Sequence, residues 1–369
     1  MKTDAKKEMS LYHLIVITVF VGLLLSFSIF YITNMLVDGD DKLAPACYDG
    51  STFVGTDPAA RFNRAVYQNE DSLSFVQEYQ YRLFGIVNND LVIAGRHGFL
   101  FEIEDDETGY HYIEDYTGNC RFSNTECAVI LHTLEQRRDS YARRGAEYLL
   151  VILPNAQTVY SDCMPSYYGP ISESTRLTLL EQYLTDHGFY HFTDLTEALI
   201  AAKDDGLLYN NTENSLNALG LYHTYLAVSD ILANTDTLPR EELIFYQHLT
   251  AGKGVARKAG LAHVVENRTV SLSNSTKLNY RFIYNEGAAA TTIRLPFYVS
   301  SDVSGSPELL LQFSDTWERL QIEPFFSNTF SQVTYQTDLS DDPAVFEAAA
   351  PKVVIQFIYE NELSLLLPH

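Results

Sequence analysis

The hydrophobic and polar positions divide the chain into one long apolar segment near the N-terminus and a larger region of shorter apolar runs. The apolar segment, residues 11–37, contains no Asp, Glu, Lys or Arg. A helix of that length covers a bilayer core of about 30 Å. A secretory signal has a shorter apolar region with a cleavage site of small residues soon after it. The pattern therefore predicts an uncleaved transmembrane anchor.

Charges on the two sides of this anchor predict its orientation. Three lysines, at positions 2, 6 and 7, precede it, and three aspartates, at positions 38, 40 and 41, follow it. Basic residues remain on the cytoplasmic side of a membrane. We expect a single-pass protein of the inner (plasma) membrane with a cytoplasmic N-terminus and a periplasmic or extracellular main domain.

The rest of the chain alternates near-continuous apolar runs with helical patterns. Runs such as YLLVIL at 148–153 are typical of parallel strands buried on both faces. Predicted strands cover residues 148–153, 189–192, 308–313 and 352–358, with two short strands around a Gly95–Gly98 turn within 91–101. Predicted helices cover residues 74–84, 127–144, 174–187, 193–203, 216–232 and 341–349.

This alternation predicts an α/β domain around a mostly parallel sheet. Between about residues 235 and 306 the pattern changes to short runs rich in Thr, Ser, Tyr and Val, which predicts an antiparallel, β-rich insertion. The predicted organisation is a cytoplasmic tail (1–10), an anchor (11–37), a lead-in segment (38–87) and one domain (88–369) that contains the insertion.

Composition limits the class of partner. The chain has 46% hydrophobic residues, which argues against disorder, and a formal net charge of −23, which argues against nucleic-acid binding. Four cysteines in an exported domain favour disulfides, and no C-x-x-C pair indicates a zinc or redox site. We expect Cys120 to pair with Cys127 and Cys47 with Cys163, although two other pairings remain open. No cofactor or metal is implied.

Candidate chemistry follows the predicted strands, because α/β sites lie beyond the carboxyl ends of parallel strands. Three segments qualify: 154–160, 209–220 and 314–317. A hydroxyl such as that of Thr316, at a strand-to-helix turn, is a possible nucleophile. Capping of the next helix is the simpler role for an isolated Ser-Asp-Thr.

Five ordered blocks together are more specific than any one motif. They are GRHGFLF at 95–101, LPN at 153–155 with Tyr160 and Pro165, SLNALG at 215–220, LLLQFSDTW at 309–317 and PKVVI at 351–355. Their order resembles the SGNH-hydrolase-like alginate O-acetyltransferase family over about residues 88–235 and 306–369. The resemblance implies an SGNH-like three-layer domain, membrane-anchored or periplasmic, that transfers acetyl groups to hydroxyls of an exported polysaccharide.

The resemblance also implies a Ser-His-Asp triad, in which His deprotonates the hydroxyl and the carboxylate orients the His. Here Glu213 stands at the Asp position, Ser215 at the His position and Thr316 at the Ser position, beside Asp315. Glu can orient a base and Thr is a more hindered nucleophile, but a Ser hydroxyl takes no proton near neutral pH. Loss of the base predicts a loss of several orders of magnitude in acyl transfer.

Two groups of residues are candidates for binding. The family blocks imply Asn155, Tyr160, Asn217 and Trp317. The insertion carries the one sustained basic stretch, which consists of Lys253, Arg257, Lys258, His263 and Arg268. Lys253 and Arg257 could meet an acidic glycan there, although a solvated loop is the commoner role of such a stretch. None of the ten histidines is placed to replace the missing base, and His223, about two helical turns past Ser215, is expected to be structural or on the surface.

Two functions remain open. The first is a non-catalytic or weakened protein of exopolysaccharide O-acetylation that binds a polysaccharide or a partner, such as a multi-spanning membrane O-acyltransferase. The second is an active O-acetyltransferase or esterase that uses Thr316 with a base from elsewhere. Turnover of an activated acetyl ester that is lost in Thr316→Ala separates them.

Overall fold

The structure is a computed structural model of the 369-residue chain. It describes residues 70–85, 87, 91–103, 112–233, 237–273, 281–284, 296–299, 306–314, 322–337 and 339–367, together with Gly22. The chain divides into two units, Met1–Tyr79 and Gln80–His369. The described residues of the first unit, which are Gly22 and residues 70–79, are helical.

The predicted anchor at 11–37 lies outside the described residues apart from Gly22. No helix within the described ranges is long and apolar enough to cross a bilayer. The anchor therefore stays a prediction.

The second unit is built on a sheet of seven strands, together with two separate hairpins. The sheet order is β4-β3-β11-β9-β10-β8-β7, and the first five strands run parallel to one another. This arrangement confirms the predicted α/β class with a mostly parallel sheet. The strands are β1 (Val92–Ala94), β2 (Leu100–Glu102), β3 (Glu147–Leu153), β4 (Phe192–Asp194), β5 (Phe245–Ala251), β6 (Glu266–Leu272), β7 (Arg281–Tyr284), β8 (Pro296–Val299), β9 (Glu308–Phe313), β10 (Gln332–Gln336) and β11 (Val353–Tyr359).

Helices connect the strands of the sheet, as parallel crossovers require. The helices are α1 (Glu70–Phe84), α2 (Tyr112–Thr117), α3 (Asn124–Arg143), α4 (Ala156–Val159), α5 (Arg176–Asp186), α6 (Thr196–Ala202), α7 (Ala218–Ile231), α8 (Val255–Lys258), α9 (residues 322–326) and α10 (Pro343–Ala349).

Two apolar clusters explain why the central strands read as continuous apolar runs. In β3, Leu149 and Val151 belong to one cluster, whereas Leu150 and Ile152 belong to the other. Side chains alternate between the faces of a strand, so each face of the sheet is covered by its own core. The predicted burial of this strand on both faces is confirmed.

Local signals set the ends of α3. Ser123 accepts from the backbone N–H of Glu126, and the Glu126 side chain accepts in return from the N–H of Ser123, which forms a capping box. Gly145 follows the helix with φ +84°, a conformation that favours glycine. The helix predicted over residues 127–144 is thus confirmed, beginning one turn earlier.

The insertion pairs in two places. β5 and β6 form a separate antiparallel hairpin, and β7 and β8 pair antiparallel with each other and extend the main sheet through β10. The sequence pattern missed β10, and the strand predicted at 189–192 lies instead at Phe192–Asp194. Phe189 is buried in a core cluster outside any strand, which is why its neighbourhood resembles a strand in sequence.

The predicted disulfides are wrong. Cys120, Cys127 and Cys163 carry free thiols, and Cys47 lies outside the described residues. Cys127 packs into the apolar cluster at the start of α3, while Cys120 is half-buried in the preceding turn. Burial raises the pKa of all three thiols, which keeps them protonated and poorly reactive.

Candidate functional site at the carboxyl ends of the parallel strands

Four neighbouring parallel strands end at nearly the same level of the sheet. Asp194 at the end of β4 pairs in register with Ile152, and Leu153 at the end of β3 pairs with Tyr359 at the end of β11. β9 ends at Phe313, beside the same edge. Polar groups that follow these strands are therefore brought together, although they are far apart in sequence.

The ends of β3 and β11 are joined by a buried carboxyl group. Glu360, 2% exposed, accepts a hydrogen bond from the backbone N–H of Asn155 at 3.0 Å and one from the Thr158 hydroxyl at 2.6 Å. Burial raises the pKa of Glu360 to about 7 against the lowering effect of these hydrogen bonds, and the charges of Asp115 and Asp194 raise it further. The group therefore holds its proton up to near-neutral pH.

Further acids surround this carboxyl group. Burial, followed by the charges of Asp194 and Glu360, raises the pKa of Glu181 in α5 to about 7. Asp115 instead forms a buried ion pair with Arg176, whose Nε donates to Asp115 Oδ1 at 2.5 Å. Arg176 thus acts on the carboxyl groups of Asp115 and Glu360, while Glu181 and Asp194 lie close to other acids, which disfavours full ionisation of the cluster.

A hydroxyl and a carboxylate meet at the end of β9. The Ser314 hydroxyl donates to Glu362 Oε2, which also accepts from the backbone N–H of Tyr359 at 3.2 Å. Asp315, Thr316 and Trp317 lie outside the described residues. The proposed nucleophile and the binding role of Trp317 therefore stay predictions.

The loop at residues 209–216, which includes the family base position, is held together by hydrogen bonds between its two ends. Tyr209 and Leu216 form an isolated β-bridge, and the backbone N–H of Asn210 donates to the Ser215 carbonyl at 2.8 Å. The Asn210 side chain donates to the Ser215 hydroxyl at 3.0 Å. No histidine of the described residues hydrogen-bonds to Ser215 or Ser314. The Ser215 hydroxyl is therefore used in a hydrogen bond with the Asn210 amide of the same loop.

The retained half of the family motif has a structural function. Asn217 is the N-cap of α7, where its side chain accepts from the backbone N–H groups of Leu219 and Gly220 and donates to the Leu207 carbonyl at 2.7 Å. A Cβ on Gly220 would lie 2.3 Å from the Leu208 carbonyl oxygen. These two positions need Asn and Gly for capping and close approach, whatever the chemistry of the site.

The same loop is anchored to the β5–β6 hairpin. Thr212 donates to Asn267 Oδ1 at 2.9 Å, and both residues are fully buried. Glu213, at the family Asp position, lies 3.8 Å from the Lys253 ammonium group. Glu213 therefore faces a cation of the insertion and not an imidazole.

Tyr160, a predicted binding residue, is part of the core. Its hydroxyl accepts from the backbone N–H of Leu208 at 2.9 Å, and its ring packs 4.6 Å from the ring of Phe99. Only 6% of its surface is exposed. Asn155 is likewise buried, and its backbone N–H makes the contact to Glu360.

Most of the basic stretch is occupied by internal contacts. Besides the Lys253 contact, Lys258 pairs with Glu102, and Arg268 donates to the His97 carbonyl. Arg257 is exposed and forms no ion pair within the described ranges. The stretch is therefore not a continuous cationic surface.

His223 lies near the surface. Its Nε2 lies 3.0 Å from Asp205 Oδ2, which also accepts from Arg240, at a partly exposed position. The part of the chain that the structure describes contains no group of three His, Cys, Asp or Glu residues that could hold a metal ion. The polar side chains at this edge of the sheet are therefore mainly carboxyl and hydroxyl groups, such as those of Glu360, Thr158 and Ser314.

Sequence reasoning missed the residues after β11. The segment Glu360-Asn361-Glu362 directly follows the mostly apolar run of β11, so it satisfied the same criterion as the three segments that were chosen. The two acidic residues of that segment, Glu360 and Glu362, could have marked it as a candidate site. Glu181 carried no such signal, because its position in α5 resembles that of any acidic residue on a helix.

The unit is thus an α/β domain with polar groups gathered at the carboxyl edge of a parallel sheet. No family model matches the sequence, and no curated protein sequence matches it. Solved structures with a similar fold include Bacillus cereus PatB1 (11% identity, TM-score 0.51, covering 76% of this chain and 98% of the other) and a DHHW family protein from Eubacterium siraeum (12% identity, TM-score 0.50, covering 76% and 96%). The O-acetyltransferase domain of Pseudomonas putida AlgJ is also similar (16% identity, TM-score 0.46, covering 74% and 91%). At these identities the likeness to the first two establishes a shared fold.

Proposed function

We propose that this chain is a membrane-anchored, exported SGNH-like protein of polysaccharide O-acetylation that acts by binding a glycan or a partner protein and lacks a working Ser-His-Asp triad. The class of substrate rests on the ordered sequence blocks that resemble the acetyltransferase family. The shared fold with PatB1 and the DHHW family protein is consistent with that resemblance.

The carrying observation is the contact made by Ser215. At the position of the family base, the Ser215 hydroxyl accepts a hydrogen bond from the Asn210 amide, and the neighbouring Glu213 faces Lys253. A neutral amide donor next to a hydroxyl cannot take up the proton that an attacking alcohol must release. The loop therefore supports structure and binding in place of proton transfer.

The proposed location is the inner (plasma) membrane, with the main domain on the periplasmic or extracellular side. It rests on the apolar segment 11–37 and on the lysines that precede it. Protease added to intact spheroplasts should remove the main domain. Protection of that domain until the membrane is permeabilised would contradict this orientation.

Acetyl-ester hydrolysis tests the catalytic part of the proposal. The full-length protein, Thr316→Ala and Ser215→His are each incubated with an activated acetyl ester. We expect the wild-type protein and Thr316→Ala to release acetate at the same background rate, because the family base position holds Ser215 in both. Wild-type turnover that Thr316→Ala abolishes would overturn the proposal in favour of an active acetyltransferase or esterase.

Ser215→His adds a gain-of-function measurement. If the loop keeps the family position of the base, an imidazole at residue 215 should raise ester turnover above that of the wild type. Combining it with Thr316→Ala is the matched control, since a true triad needs the hydroxyl as well.

A further inference from the structure

β5 is the outer strand of the hairpin that it forms with β6. No residue of β5 is buried, whereas Asn267 and Val270 of β6 are buried and β6 packs against α7. Among the strands that the structure describes, β6 is the one that pairs with β5. One side of β5 is therefore an edge of its sheet.

Backbone groups of alternate residues form this edge. The N–H of Ser273 donates to the Ile244 carbonyl at 2.8 Å, so these two residues are a hydrogen-bonded pair of the ladder. In an antiparallel ladder such pairs recur at every second residue, and the residues between them direct their N–H and C=O groups outward. Gln247 and Leu249 are two of the residues between. Their outward groups meet no backbone partner in the described ranges.

The opposite edge of the hairpin is already occupied. The N–H of Arg268, which lies opposite Leu249, donates to Asn211 Oδ1 at 2.5 Å, and the Asn211 amide donates to the Glu266 carbonyl at 3.2 Å. These contacts agree with the outward direction of the backbone groups of Leu249, because the two residues of such a pair point away from each other. A further strand can therefore join the hairpin at β5 and not at β6.

β5 lacks the features that keep edge strands from pairing, such as charged residues, proline and short length. Both edges of the main sheet have such features: β4 is three residues long and ends in Asp194, and β7 is four residues long and begins with Arg281. β5 is seven residues long and contains no Asp, Glu, Lys, Arg or Pro. Its Tyr246 and Leu249 are 49% and 56% exposed. An uncharged edge with exposed apolar side chains favours pairing with another strand.

The charges at the two ends of β5 have opposite signs. Glu241 and Glu242 are exposed just before the strand, where Arg240 is already paired with Asp205. At the other end, four basic residues outnumber the three acids that contact them or lie beside them in the hairpin. The basic residues are Lys253, Arg257, Lys258 and Arg268, and the acids are Glu102, Glu213 and Glu266. Antiparallel pairing of two β5 strands brings the acidic start of each to the basic end of the other, whereas parallel pairing places like charges together.

We propose that β5 pairs antiparallel with β5 of a second copy of this chain and joins the two hairpins into one sheet. A two-fold axis relates the copies, so both use the same edge, and association stops at a dimer because Asn211 occupies the other edge. The pairing satisfies the outward backbone groups of Gln247 and Leu249 and covers part of the exposed Tyr246 side chain. This proposal is independent of the proposed function, because it uses no residue of the strand-end site.

Sedimentation velocity of the full-length protein in detergent micelles, over a range of concentrations, measures the dissociation constant of the dimer. We expect the wild type to dimerise and Leu249→Lys to raise the constant at least about tenfold, because one added charge from each copy would lie in the joined edge. Ile200→Lys, which changes a residue of α6 that is 45% exposed, is the matched control and should dimerise as the wild type does. A monomeric wild type, or a Leu249→Lys dimer as tight as that of the wild type, would overturn the proposal.

Charge reversal tests the direction of pairing at exposed positions outside the strand. Glu242→Lys and Arg257→Glu should each weaken the dimer at least about threefold, because each places like charges at both ends of the joined edge. The double variant should regain the wild-type constant, since the attraction returns with its signs exchanged. Losses that simply add in the double variant would overturn the antiparallel arrangement.

Discussion

Replacing Glu360 with Gln should flatten the pH dependence of stability. Glu360 accepts from Asn155 and Thr158 through a single oxygen, Oε2, and a Gln amide oxygen can accept the same two hydrogen bonds without carrying charge. The substitution therefore removes the ionisation while retaining the geometry that joins β3 to β11. The buried site, 2% exposed, gives little room for compensation by water.

The size of the effect follows from the pKa. The pKa of Glu360 is raised from the ordinary 4.5 to about 7 in the folded protein. Between those values the Glu360 carboxyl group binds more protons in the folded state than in the unfolded state. Its contribution to stability is therefore complete below about pH 4.5 and is lost as the pH rises to about 7. The whole shift corresponds to about 3 kcal/mol, of which about 2.5 kcal/mol lies between about pH 5 and pH 8.

Urea unfolding of the wild type and Glu360→Gln across that range measures the difference. We expect the variant to gain about 2.5 kcal/mol relative to the wild type on going from about pH 5 to pH 8. Glu181 changes the result in the same direction, because the charge of Glu360 contributes to raising the pKa of Glu181. Glu347→Gln, at an exposed position of α10, is the control and should track the wild type. A difference between Glu360→Gln and wild type that stays constant within about 0.5 kcal/mol would refute the reasoning.

Three further substitutions probe the framework around the site. Arg176→Met should lower the unfolding free energy by about 3–5 kcal/mol in urea titrations, because it leaves Asp115 charged and buried, and adding Asp115→Leu should recover most of the loss. Asn217→Ala removes the cap of α7 and the hydrogen bond to Leu207 and should cost about 1–2 kcal/mol, whereas Asn217→Ser, which also loses the bond to Leu207 but keeps an oxygen acceptor for the cap, should cost less; equal losses would contradict the capping role. Gly220→Ala should lower the thermal midpoint, since its Cβ would meet the Leu208 carbonyl oxygen at 2.3 Å, and an unchanged midpoint would show that the loop can move aside.

Periodicity predicted the parts of the fold that are apolar on both faces. β3 and β11 were evident because nearly every position is apolar, and α3 because it has a regular apolar pattern and a glycine stop. β10 was missed because Gln332, Thr334 and Gln336 interrupt its pattern. The side chains of the last two are buried, and Gln336 Nε2 donates to the Ser340 carbonyl at 3.0 Å. Burial of polar residues that find partners elsewhere in the fold is not visible in a local pattern.

The candidate site was predictable in part. Of the three segments predicted to follow strands, the one at 154–160 places Asn155 at the edge of the sheet, where its backbone N–H contacts Glu360. The role of Asn217 as a cap follows from its position before α7. That Glu360 meets Asn155 could not be predicted, because the two are 205 residues apart and the contact depends on the order of strands in the sheet.

The sequence by itself determined the class of fold, the apolar segment at 11–37 and the absence of a His at residue 215, because these depend on local composition and periodicity. The tertiary structure alone decided that Glu360 is buried, that Glu213 faces Lys253 and that Cys120 and Cys127 stay unpaired. A carboxyl group acquires a pKa near 7 only where folding removes water and brings other acids close to it. That environment is assembled from strands distant in sequence.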